Sequence, residues 1–147
     1  MPERIIHTLD GKRGGFLFIV GIGWLAIGLS YTLGPTTQSR VMGFAWLPQW
    51  LDGNELGWVW VISALVAIVA ALTSRRHPHR ENWAFGAITI PPVLWSVIFG
   101  WAAIIGEHPN GWIASITYWL FATIIWHCSS WPSPSRYHDV EGGSERI

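Results

Sequence analysis

The chain has 147 residues, of which 50% are hydrophobic and only 12% charged, with nine Lys/Arg balancing nine Asp/Glu. A soluble globular chain is roughly 25% charged, so too little polar surface remains for a water-soluble body, and the composition is that of an integral membrane protein. Balanced charge removes nucleic acid from the partners, because that binding rests on a basic patch, and the single Cys128 excludes an internal disulfide and a multi-cysteine metal centre.

In chain order, residues 1–13 read as a cytoplasmic N-terminal segment carrying Arg4, Lys12 and Arg13. A first span over 14–33 follows. It is longer than the roughly 7–15 residues of a secretory signal core, and so reads as a retained anchor. Further spans are expected over 57–73, 83–105 and 112–128, each near the 17–25 apolar residues (about 20) that a bilayer core requires. No Asp, Glu, Lys or Arg lies in any of the four. Together, residues 14–128 predict an all-α, four-helix transmembrane domain, and 129–147 a polar cytoplasmic tail in which Ser129, Ser130, Ser133 and Ser135 interleave with Pro132 and Pro134.

The connection over 34–56 is too long for a simple helix-to-helix turn. It contains Val41, Met42, Phe44, Trp46, Leu47, Trp50 and Leu51. Two readings fit: a short interfacial helix in this first outer loop, broken or started near Pro48, or a hydrophobic loop capping the bundle.

Orientation follows from Lys and Arg, which stay on the cytoplasmic side. Eight of the nine fall in the first, third and fifth connecting segments, and only Arg40 falls on the other side. Both termini are therefore expected in the cytoplasm, with Arg75, Arg76 and Arg80 anchoring the inner face against anionic headgroups. Trp58, Trp83, Trp112 and Trp126 mark span ends, whereas Trp24, Trp95 and Trp119 lie deeper and read as interhelical packing residues.

Lipid is as apolar as leucine, so helices in a bilayer associate by close packing of small residues. Gly14, Gly21 and Gly28 recur seven apart in the first span, with Trp24 on the intervening turn. The second span offers Ser63, Ala67, Ala70 and Ala71, and the third offers Ser96 and Gly100. Gly21, Trp24, Gly28, Ser63, Ala67, Ala71, Ser96 and Gly100 are the expected packing residues. Pro91 and Pro92 predict a kink in the third span. That kink is either a hinge or pore-lining break, or a tolerated bend whose freed carbonyls are met by Thr89 or a neighbouring helix.

Charge-free spans supply no general acid, base or ion ligand at mid-bilayer, so neither catalysis nor transport is expected, and no cofactor. His77, His79, His127 and Cys128 would share one membrane face, but lack the paired spacing of a zinc site. Compact size, four spans, preference for Arg over Lys, abundant Trp and Gly, and the charged tail at 140–146 resemble the small four-span membrane proteins of actinobacterial phages and prophages, some of them holin-like. The resemblance covers the whole plan without a diagnostic motif. It implies a non-enzymatic, multi-pass cell-membrane protein that associates with itself or with a membrane partner. One reading is a holin-like lesion former whose bundles join through their glycine and alanine faces. The other is a regulatory, exclusion or scaffold subunit of a larger complex.

Overall fold

The computed structural model describes residues 11–48, 50–51, 53–73 and 79–131, and every regular element among them is helical. The helices are α1 (Gly11–Thr32), α2 (Gln38–Phe44), α3 (Gly53–Thr73), α4 (His79–Ile104) and α5 (Gly111–Ser129). Each long helix starts one to four residues before the apolar run expected from sequence. Backbone hydrogen bonding continues past the point where apolar side chains stop. Glu55 and Glu81 sit in the first turns of α3 and α4, where a carboxylate complements the positive end of the helix dipole.

Three helices, α1, α3 and α4, are long and apolar enough to cross a membrane, against the four expected. The fourth expected span does form a helix, the 19-residue α5. Trp112, Tyr118, Trp119, Trp126 and His127 keep its hydropathy below that of the other three.

Burial explains how the helices associate. Along α1, Gly14, Leu17, Gly21, Trp24, Gly28 and Tyr31 are buried at alternating spacings of three and four, the seam of a left-handed helix pair. Glycine alternates with a large residue along it. On α3 the same alternation runs through Gly57, Trp60, Ala64, Ala67 and Ala71, and on α4 through Glu81, Ala84, Ile88, Pro91, Trp95, Ile98 and Ala102. α1 packs antiparallel on α3, α4 antiparallel on α5, and the two hairpins join mainly through α3 and α4.

The turn from α4 to α5 needs a left-handed residue, and Gly106 supplies it at φ +83°, a conformation that costs glycine little. His108 N–H then donates to the Ala102 carbonyl at 3.1 Å, closing the helix end.

At the same end of the bundle the connection after α1 folds back as α2. Phe44 inserts among Tyr31, Trp95 and Phe99 with ring centroids 6.2, 5.9 and 5.8 Å away, and Gly43 lies against the Phe99 ring. The loop therefore combines the two readings of the sequence: it is a short helix, and it caps the bundle. It ends at Phe44, four residues before Pro48. This is the cap end; the opposite one is called the clamp end below.

Candidate functional site

The groups that carry chemistry here are those that hold helices together. At Gly28 an added Cβ would lie 2.7 Å from Val61 Cγ2 and 2.8 Å from the Val61 backbone nitrogen. At Gly21 it would meet Ile68 Cγ1 at 2.8 Å and the Ala64 carbonyl oxygen at 3.2 Å. Gly57 presses on Tyr31 and Thr32 in the same way, at 2.8 and 2.9 Å. Backbone thus closely approaches backbone from Gly21 to Thr32 of α1. Ala67 and Ala71 are fully buried and Ser63 nearly so.

The second hairpin uses hydroxyl groups. Ser96 Oγ donates to the Ser115 carbonyl at 2.9 Å and Ser115 Oγ to the Ser96 carbonyl at 2.8 Å. Gly100 admits Ser115, whose Oγ would be 2.8 Å from a Cβ there. Every expected packing residue is therefore at a buried or close helix contact, and these contacts lie within a single chain. The small-residue faces expected to join one bundle to another are filled by the chain's own helices.

Pro91 and Pro92 are fully buried within α4, which continues through them. Lacking an N–H, Pro92 leaves the Ile88 carbonyl without its helical donor. Trp24 Nε1 donates to that oxygen at 2.9 Å. Thr89, the other expected donor, gives its hydroxyl to Phe85 instead, at 2.7 Å. The freed carbonyl is thus met by the neighbouring helix.

An aromatic column fills the bundle axis. Trp60 packs edge-on against Trp24 at 4.9 Å and Trp95 at 5.2 Å between centroids. Trp95 Nε1 donates to Tyr31 Oη at 2.9 Å. Arg40 covers the Tyr31 ring from the cap end, 4.0 Å from its centroid, and donates to the Ser30 carbonyl at 2.7 Å. Trp119, expected inside, is instead 60% exposed. Depth along a span does not specify which way a side chain faces.

These contacts predict a selective response to losing an indole N–H. Trp24→Phe should lower stability in detergent by about 1–3 kcal/mol, the cost of an abandoned buried acceptor. Trp60→Phe should cost less, since Trp60 Nε1 has no acceptor among the described residues. Pro92→Ala restores the helical donor to Ile88, so Trp24→Phe should become milder in that background. Equal costs in both backgrounds, read from thermal unfolding, would contradict the assignment.

The clamp end holds a charged cluster that the sequence reading missed. Arg13, expected in the cytoplasmic N-terminal segment, is 7% exposed, and Glu81 2%. Arg13 Nε lies 3.4 Å from Glu81 Oε2. Its Nη2 donates to Asn82 Oδ1 at 2.9 Å and its Nη1 to the Trp131 carbonyl at 3.2 Å, while the guanidinium lies 5.0 Å from the Phe85 ring centre. The start of α1, the start of α4 and the residues after α5 are thereby tied together.

Of the expected inner anchors, Arg80 is exposed on the first turn of α4, and Arg75 and Arg76 lie outside the described residues, as does His77. His127 is exposed and Cys128 buried on the last turn of α5. Among the described residues no group of three or more His, Cys, Asp or Glu is placed to hold a metal ion. Tyr31 was detectable in sequence, since Leu17, Trp24 and Tyr31 recur seven apart, each three residues after a glycine of the seam. Ser115, Glu81 and Asn82 gave no such signal. Compared with known proteins, the chain matches no family model, no curated protein and no solved structure.

Proposed function

We propose that this chain is a multi-pass cell-membrane protein that works by association in the bilayer and has no catalytic residue. In this reading α5 is the fourth crossing. Its 19 residues reach about 28 Å at 1.5 Å per residue, close to a hydrocarbon core of roughly 30 Å. It runs beside α4 from the Gly111 contact with Ala103 to the clamp end. The Arg13–Trp131 hydrogen bond supports both ends of the helical body lying on one side, and the distribution of Lys and Arg makes that side the cytoplasm.

The observation that carries the choice of role is the internal use of the expected packing faces, Gly21 and Gly28 on α1, Ser63, Ala67 and Ala71 on α3, and Ser96 and Gly100 on α4. A holin-like lesion former needs its helices to re-associate between copies, and here those faces are committed within the chain. The outward faces carry bulky apolar side chains such as Ile19, Ile62, Val97 and Ile116. That pattern favours a self-packed subunit, acting as a regulatory, exclusion or scaffold component with the lipid bilayer and a membrane-protein partner around it, over a lesion former.

One experiment tests both parts. The chain is expressed in a bacterial host with a cytoplasm-active reporter after Ile147, in the presence of a membrane-impermeant dye. The expected result is an active reporter and cells that exclude dye. An inactive reporter at normal expression removes the four-crossing topology, and dye entry at moderate expression replaces the subunit reading with the lesion former.

A further inference from the structure

Between α4 and α5, on the outside of the bundle, runs an open groove of about 690 Å³. Its walls are apolar over most of their length, from Phe85 through Ile90 and Val93 to Val97, with Trp126 facing them from α5. Gly86 forms an open place in the floor, where an added Cβ would meet nothing within 4 Å. From Asn82 to Val97 the groove follows about 22 Å of helix at 1.5 Å per residue, enough for an acyl chain crossing one leaflet, about half of a 30 Å hydrocarbon core.

Polar character gathers at the clamp end. Asn82 and Ser129 line the groove there; the hydroxyls of Ser129 and of Thr89, midway, donate to the Trp126 and Phe85 carbonyls of their own helices, which leaves Asn82 as the side chain able to donate into the groove. Asn82 Oδ1 is taken by Arg13, so the amide is oriented with its NH2 as the group left to donate. The Arg13 guanidinium behind it is paired with Glu81 and serves to fix the orientation of the amide. A long apolar trough that ends in an oriented amide donor is complementary to an amphiphile with an acceptor-rich head.

We propose that this groove holds one acyl chain of a phospholipid from the leaflet at the clamp end, with the lipid phosphate accepting a hydrogen bond from Asn82 Nδ2. The inference rests on the reading of the helices as membrane-spanning.

The test uses the full chain purified in mild detergent, stripped of lipid and titrated with palmitoyl-oleoyl phosphatidylglycerol, with bound lipid counted by native mass spectrometry. The wild type should take up one lipid. Gly86→Trp, which fills the groove without touching the bundle, should weaken uptake at least tenfold, and Val97→Trp should do so from the far end. Gly23→Trp, also in open space but on α1, should bind as the wild type does. Equal uptake by all four proteins overturns the proposal, as does a wild type that binds none or a Gly86→Trp variant that changes oligomeric state with lipid uptake intact. Alkaline carbonate extraction of host membranes separates the two levels: a chain released by carbonate removes the membrane reading itself, whereas a retained chain with equal lipid uptake removes only the groove.

Discussion

Removing Glu81 alone should be among the most destabilising single changes in the protein. Glu81→Met leaves the Arg13 guanidinium buried without its counter-charge, and breaking a buried ion pair from one side costs about 3–5 kcal/mol. Arg13→Met should cost a similar amount, because it removes the cation 3.4 Å from the buried Glu81 carboxylate and also the donors to Asn82 and Trp131. Replacing both with methionine exchanges a desolvated pair for apolar volume, which is often neutral or favourable. The double variant should therefore be more stable than either single one, a coupling that a double-mutant cycle of thermal unfolding in detergent would measure. Additive losses would mean that the two side chains act separately.

The second large effect is expected at Gly28. A Cβ there would lie 2.8 Å from the backbone nitrogen of Val61, and backbone cannot turn aside as a side chain can. Gly28→Leu must push α1 away from α3, losing the close packing that holds helices together where lipid supplies no hydrophobic drive. Overpacking of this kind costs about 1–3 kcal/mol and sometimes more. Gly28→Ala should already be harmful. Gly23→Leu, on the same helix but in open space, should change the unfolding temperature little, and comparison of the three variants isolates the contact from any general effect of losing glycine.

The seam of α1 was legible because its cause is local: three glycines seven apart mark a face where another backbone must come close. Trp24 was legible as a residue in need of a partner, and Pro92 as one that frees a carbonyl. That each answers the other depends on how α1 and α4 meet, which no spacing within either helix records. Arg13 and Glu81 were obscured for a different reason. A charge just outside an apolar run has the same sequence pattern whether it faces headgroups or turns inward to a partner far along the chain. Trp119 was placed inside because sequence gives depth along a span more readily than rotation about it. The same small residues were open to two uses, packing within the bundle and joining of bundles in the holin-like reading; spacing alone does not distinguish them, and α1 and α3 show the first.

The Trp24–Ile88 hydrogen bond also bears on the order in which the protein is made. α1 and α3 are synthesised before α4, and until it arrives the indole N–H of Trp24 lacks its Ile88 acceptor. The Ile88 carbonyl, in turn, is exposed by Pro92 from the moment α4 forms. Each such group costs about 2–7 kcal/mol in a medium without hydrogen-bonding partners, so docking of the second hairpin on the first removes two penalties in one contact. A nascent chain halted before α4 therefore carries an unmet indole N–H in its finished first hairpin.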